Sequence, residues 1–343
     1  MSQTPARILL IYTGGTIGMI KDYRSPVLKP FDFKKVVSSI PELTQLGCII
    51  ESISFKQPID SSNMNPGHWA AIASIIEAQY DNHDGFVVLH GSDTMSYTAS
   101  ALGYMLENLS KPVVFTGSQL PIGDLRTDAK QNLITAVRIA SLIENGRAVV
   151  QEVCLYFEYT LYRANRTTKI NAEHFEAFAS PNYPALASSG VHLKVNRDVL
   201  FRPKANKKLC VHMEMNTHVA ILKLFPGLRK EVLDGVLNIP GLKGLILETY
   251  GAGNAPTEPW LLEALATAIA GGLHIIDVTQ CSGGSVLMGQ YETSEALRKI
   301  DVINGKDITT EAAITKLMYM LGNQVSQKAF KTIFETSLRG EMV

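Results

Sequence analysis

At 343 residues the chain exceeds the length over which one hydrophobic core keeps growing, so two domains are expected. Hydrophobic residues make up 46% of it, enough for two cores, and 32 basic residues balance 32 acidic ones with no long block of either sign. That balance excludes an extended electrostatic footprint for nucleic acid or a membrane surface and suits a small polar substrate.

Ile8-Leu9-Leu10-Ile11-Tyr12 is a continuous apolar run of the kind buried on both faces of a parallel sheet. One basic residue and no small-residue cleavage site precede it, so no signal peptide is read, and no later run reaches membrane-spanning length. The run ends in Thr13-Gly14-Gly15-Thr16-Ile17-Gly18. Ligands of parallel sheets bind at the carboxyl ends of strands, which puts the glycine-flanked Thr16 hydroxyl where chemistry is expected. Taken alone, the stretch is open to three readings: a nucleotide-binding loop, a structural turn or a catalytic loop. A dinucleotide fingerprint needs glycine at position 13 and an acid closing a second strand about 20 residues on, and no Lys-Ser/Thr follows for a Walker-type loop.

Met19 to Pro30 has loop chemistry and could form a lid, with Tyr23 as its only aromatic. A short helix near Phe31 to Ser39 leads to a strand over Cys48 to Phe55 and the loop Pro58-Ile59-Asp60-Ser61-Ser62-Asn63. Asn65-Pro66 starts a helix that runs to about Asp81, because Asn caps and Pro suits the first helical position. The buried strand Gly85 to Leu89 runs into His90-Gly91-Ser92-Asp93-Thr94, and after a helix over Thr98 to Asn108 the strand Pro112 to Thr116 runs into Gly117-Ser118-Gln119. Parallel strands would bring these hydroxyl-rich loops to one sheet edge.

A helix over Thr127 to Glu144 and a strand over Val149 to Phe157 precede the cationic stretch Tyr162 to Lys169. Residues 171 to 212 lose periodicity. Alternation then resumes with strands Val219 to Leu224, Gly244 to Leu247 and His274 to Val278. Helices are expected near Leu228 to Leu237, Thr257 to Ala270, Thr309 to Leu321 and Gln324 to Leu338, giving a second, smaller open parallel sheet. Cys48, Cys154, Cys210 and Cys281 are scattered without CxxC spacing, which indicates neither zinc nor disulfides, and reduced thiols suit the cytoplasm.

The Thr13 to Gly18 stretch with His90-Gly91-Ser92-Asp93-Thr94-Met95 resembles the signature pair of bacterial-type L-asparaginases, of the cytoplasmic type I branch. The resemblance continues in order through Asp60-Ser61-Ser62, Thr116-Gly117-Ser118-Gln119 with Pro121, Leu161 to Lys169, Gly251 to Pro256 and Thr279-Gln280-Cys281. It implies an α/β fold of two domains. A larger N-terminal mixed, mainly parallel sheet flanked by helices (1–190) would be joined by a linker (191–212) to a smaller flavodoxin-like domain (213–343).

The resemblance further implies hydrolysis of L-asparagine to L-aspartate and ammonia without metal or organic cofactor. Thr16 would attack the side-chain amide to give a β-aspartyl ester, helped by Lys169 paired with Asp93 and by Ser92; an alternative makes Ser92 the first nucleophile. Asp93 and Asp60 would hold the α-ammonium, Ser61 with the N–H groups of Ser61 and Ser92 the α-carboxylate, and the Ser118 carbonyl the amide. Ser62 belongs to the same binding loop, and Gly15 and Ser92 would supply an oxyanion hole. Self-association as a dimer or tetramer is implied, with Asn254 and Glu292 contributing across an interface. Rivals are a glutaminase, an ammonia-supplying amidotransferase subunit, which usually carries an extra N-terminal domain not seen here, and a silent amino-acid-binding protein.

Three positions depart from the family pattern. Ser92 stands where Thr is usual, which keeps the hydroxyl but loses the methyl that fixes its rotamer. Tyr23 is out of register with the tyrosine of members that have one. Some type I enzymes hold a second asparagine between C-terminal domains through an arginine and the cysteine of Thr-Gln-Cys; here Cys281 is kept but the arginine position is Glu248, so weak or absent activation is expected.

Overall fold

A computed structural model describes the chain except residues 1–3, 22–27, 31–39, 204–206 and 290–291. Tyr23 and the helix expected over Phe31 to Ser39 lie outside the described residues. Two compact units form, Met1–Met213 and Glu214–Val343.

The first unit is built on an eight-stranded sheet: β1 (Arg7–Gly14), β2 (Ile49–Ile59), β3 (Gly85–Leu89), β4 (Val113–Thr116), β5 (Val153–Phe157), β6 (Thr160–Arg163), β7 (Ala187–Ser189) and β8 (Leu193–Val195). Its order is β8-β7-β6-β5-β4-β3-β1-β2, with β2 through β5 parallel and the other edge antiparallel. Ile8 to Tyr12 of β1 are buried because strands pair on both sides and helices cover both faces. The chain leaves β1 toward β2 on one side and returns to β3 on the other, which makes the carboxyl ends of β1 and β3 the switch point of the sheet. Sheets of this order bind ligands at that switch point.

Helix α1 (Pro66–Gln79) starts where Asn65 Oδ1 accepts from the N–H groups of Gly67 and His68, satisfying two of the unpaired donors of the first turn. Trp69 Nε1 donates to Thr98 Oγ1 (3.0 Å) and ties α1 to α2 (Met95–Met105). On the sheet's other face, Leu133, Ala136 and Val137 of α3 (Ala129–Ala140) share one core cluster with Leu10, Val87 and Val114. Helix α3 stops short of the expected Glu144, because Ile143–Glu144 pairs with Arg147–Ala148 around Asn145-Gly146, both at positive φ.

The expected linker is largely part of this unit. Leu193–Val195 is the sheet's edge strand, Leu200 is buried in the core, and Cys210–Val211 pairs with Leu106–Glu107, which also ends α2 before the expected Asn108. The stretch lacks periodicity because it lies along an edge, where few side chains face the core.

The second unit has a parallel sheet in the order β9 (Val219–Lys223), β10 (Gly244–Thr249), β11 (His274–Thr279), β12 (Ile303–Asn304). Helices α4 (Lys230–Leu237), α5 (Pro259–Ala270) and α6 (Glu292–Lys299) connect successive strands, and Leu233, Leu261, Leu265 and Leu297 pack on Leu245, Leu247 and Ile275. Helices α7 (Thr310–Gly322) and α8 (Gln327–Phe334) follow, α8 shorter than expected because Gln324 takes a positive φ and the helix restarts only after Ser326.

Buried ionisable groups mark this unit, Asp277 and the Lys316–Glu341 pair among them. Asp277 on β11 accepts from Thr249 Oγ1 (2.6 Å) while its other oxygen has no partner, and burial pushes its pKa up to about 7. Lys316 on α7 is fully buried, pairs with buried Glu341, and donates to the carbonyls of Phe334 (2.7 Å) and Thr336 (2.8 Å).

Candidate active site

The loops after β1, β2, β3 and β4 meet at the carboxyl edge. Thr13 Oγ1 donates to Leu89 O (2.9 Å), which fastens the end of β1 to the end of β3. Beyond this bond Gly15 (φ 89°) lies backbone to backbone against Gly91, and Gly91 in turn lies against the Ser61 side chain. Thr94 Oγ1 donates to Ser61 O (2.7 Å) and holds the third loop in place. Thr16, one residue past this contact, opens a 3-10 turn to Gly18 and is partly exposed.

The 160s reach the same edge by a different path. Strand β6 runs back down the sheet, and residues Ala164–Arg166 then turn across α2, where Thr167 Oγ1 donates to Ser96 Oγ (3.2 Å). Lys169 comes next at the edge: its Nζ donates to Ser92 Oγ (2.9 Å) and to Asp93 Oδ1 (2.7 Å). The lysine side chain is 18% exposed and the aspartate side chain 62%, so the pair sits at the mouth of the crevice rather than in the core.

Ser92 passes its own proton on: Oγ donates to Gln119 Oε1 (3.2 Å). The Gln119 amide nitrogen donates to the carbonyls of Ala172 (3.2 Å) and His174 (3.0 Å), which fixes which end of the amide faces Ser92. Behind it, Asp128 accepts the N–H groups of Gln119 and Leu120, and Asn132 donates to Gly117 O (3.0 Å). Burial raises the Asp128 pKa, opposed by those N–H bonds. Ser118 is buried and its hydroxyl turns to Leu120 O (2.6 Å).

Asp60 and Ser62 form a compact turn: Ser62 N–H and Oγ both donate to Asp60 Oδ1 (2.9 Å each), and these bonds hold the Asp60 pKa below the usual carboxylate value. His90 is fully buried with its pKa depressed to about 4 by desolvation, and its Nδ1 lies 2.7 Å from Gly91 O. A neutral imidazole donating there fixes the Gly91–Ser92 peptide plane, so the Ser92 N–H of that plane points the opposite way.

The structure thus gathers Gly15, Thr16, Ser61, Ser92, Asp93, Ser118 and Lys169 at one edge, with Asp60 and Ser62 on the adjoining turn. Asn254 lies in the second unit, where it closes a tight loop with Tyr250. Glu292 begins α6, and its side chain lies outside the described residues. Sequence reasoning gave no role of their own to Gln119 or Thr94 and set Asp128 only near the positive end of a helix; each acts by hydrogen bonds that close loops, which leave no periodic signal. Among the described residues no cluster of His, Cys, Asp or Glu could hold a metal ion, and no helix is long and apolar enough to cross a membrane.

The chain matches known proteins along nearly its whole length. The "Asparaginase, N-terminal" family model matches residues 7–201 and the "Glutaminase/Asparaginase C-terminal domain" model residues 218–334. L-asparaginase 1 of Escherichia coli (strain K12) is 40% identical over 336 residues, covering 98% of this chain and 97% of that protein. The 60 kDa lysophospholipase of Mus musculus is also 40% identical, over 98% of this chain and 62% of its own length. The crystal structure of L-asparaginase I from Vibrio cholerae matches with a TM-score of 0.90 at 39% identity, covering 99% of this chain and all of that one. With both halves matched and a full-length relative at this identity, the chain belongs to the asparaginase family of enzymes.

Proposed function

We propose that the protein hydrolyses L-asparagine to L-aspartate and ammonia through a covalent intermediate on Thr16. The observation that carries the reading is Lys169 bridging Ser92 Oγ and Asp93 Oδ1 beside the loop that presents Thr16. A side-chain amide is hard to hydrolyse in one step; attack by an alcohol divides the barrier, giving a β-aspartyl ester that water then cleaves. For Thr16 to attack, its proton must reach a base, and Lys169 serves once it has passed a proton to Asp93. Ser92 is the poorer first nucleophile, since its own proton is committed to an amide oxygen, Gln119 Oε1, rather than to a base. N–H groups of Gly15 and Ser92 then receive the developing oxyanion, each such donor contributing about 3 kcal/mol.

The substrate's charged end fits the other loops. Among the described residues Asp60 Oδ2 has no partner while Oδ1 is filled by Ser62, so Asp60 and Asp93 present anions to the α-ammonium. Ser61 and its own N–H take the α-carboxylate, and the Ser118 carbonyl takes the amide. The enzyme is read as cytoplasmic, since its four cysteines are free, and as a dimer or tetramer of identical chains in which Asn254 and Glu292 act across an interface.

The deciding experiment measures ammonia release from L-asparagine and L-glutamine side by side and sequences the acylated peptide after an acid quench. Aspartyl mass on the Thr16 peptide with asparagine preferred supports the reading. Glutamine preference would make the protein a glutaminase, and label on Ser92 would move the nucleophile.

A further inference from the structure

The opposite edge of the first sheet, where the chain enters β3, β4 and β5, carries a second polar cavity. Lys111, Arg147, Arg202 and Lys207 line it together with Asp84 and Ser110, around a volume of about 490 Å³. The chain as a whole is electrically balanced, so four cations against one carboxylate is a local excess and not a bias of composition.

Two of the cations are held by the backbone. Lys111 Nζ donates to the carbonyls of Tyr80 and His83 (2.7 Å to the latter) and lies 4.7 Å from the Tyr80 ring centre. Arg202 Nη1 donates to Val149 O (3.2 Å), and among the described residues the rest of its guanidinium fork has no partner. Among the described residues none of the four forms an ion pair, although the same unit pairs Arg7 with Glu51, Arg163 with Glu152 and Arg197 with Glu144. The one acid is partly neutralised, since Asp84 Oδ2 accepts the N–H of Arg7 (2.8 Å). Lys111 and Arg202, held by carbonyls, are thus ordered before an anion arrives, and Lys111 feels Asp84 and Asp81 only through space, without an ion pair.

We propose that this cavity binds a small molecule carrying a di- or triphosphate. An arginine fork offers paired N–H donors to two phosphate oxygens, and lysine adds point charge. The concave shape favours a compact ligand over a nucleic-acid strand, which needs an open basic track. The site lies at the amino ends of the strands, opposite the candidate active site, so its occupant is not the amide substrate.

Calorimetric titration of the full-length protein with inorganic pyrophosphate, and separately with ATP, tests this. Binding at one site per chain is expected, with Kd at or below about 1 mM in low salt and weakened about tenfold or more by 0.2 M NaCl. The Arg147→Gln/Arg202→Gln double variant should lose roughly tenfold or more in affinity, since two charge-assisted contacts go. Its ammonia release without added phosphate and its circular dichroism should match the parent. No heat from either probe up to about 10 mM, or equal affinity in the double variant, would overturn the assignment.

Discussion

Gly15 and Gly91 touch through their backbones: a Cβ built on Gly15 would lie 2.5 Å from the Gly91 amide nitrogen, and one on Gly91 would lie 2.5 Å from Ser61 Oγ. Three loops are therefore seated on one another with no room for a side chain. Gly91→Ala is expected to lower kcat at least about 100-fold, because displacements near 1 Å at reacting groups cost that much. Gly15→Ala adds the strain of a positive φ, about 1–3 kcal/mol, which urea unfolding would register. Near-parental kinetics in either variant would mean that the loops tolerate separation.

Thr16→Ala should abolish turnover and leave the fold intact, since the side chain is partly exposed and no core packing rests on it. Parallel assays of ammonia release and thermal melting separate the two effects. Thr16→Ser, which keeps the hydroxyl, should retain measurable activity.

Ser92→Thr should keep activity within a few-fold, because the hydroxyl that receives Lys169 and donates to Gln119 survives. Ser92→Ala leaves Lys169 short of one acceptor and is expected to cost about 10²-fold or more in kcat, the scale of lost proton-transfer assistance. Equal rates in Ser92→Ala and parent would remove the hydroxyl from the proton path.

Stability should respond to pH through two buried groups of opposite sign. His90 falls from 6.5 in the open chain to about 4 when folded, so between those values the unfolded state binds the extra proton and acidification costs about 3 kcal/mol. Asp277 rises from 3.8 to about 7, so the folded state binds the extra proton in that window, and raising the pH through it costs about 4 kcal/mol. Asp277→Asn should therefore stabilise the protein more near pH 8 than near pH 5, by a difference of about 2–3 kcal/mol in urea unfolding. An equal gain at both would place the titration elsewhere.

Asparagine saturation should follow a hyperbola. Glu248 accepts from Thr310 Oγ1 (2.7 Å) and faces Lys223 at 3.8 Å, so an anion stands where a second-site carboxylate would need a cation. A sigmoidal rate curve would show that another group recruits the effector.

Periodicity and glycine punctuation made the central strands legible from residue order alone. Ile8 to Tyr12, Gly85 to Leu89 and Val113 to Thr116 read as buried strands, and the hydroxyl-rich stretches after them as loops sharing an edge. The hairpin Val153–Phe157 to Thr160–Arg163 was not legible, since its turn places Glu158 and Tyr159 at φ 37° and 67°, a conformation that ordinarily advertises itself by glycine or asparagine. The Asn145-Gly146 turn carried that signal but lay inside an apolar helical pattern. Helix α6 is charged and short, and its buried Leu297 makes no apolar stripe with the neighbouring described residues. At the site, hydroxyls and charges were visible as residue types. The hydrogen bonds that orient them, from Gln119 to Ala172 and His174 and from Asp128 to two backbone N–H groups, depend on long-range closure and have no local signature.

The Lys316–Glu341 pair bears on handling the protein. The Glu341 carboxylate is the counter-charge for an ammonium sealed in the second unit's interior. Any proteolytic cut or substitution that removes Glu341 would strand that charge, a defect of about 3–5 kcal/mol. Intact-mass checks of stored preparations guard against it.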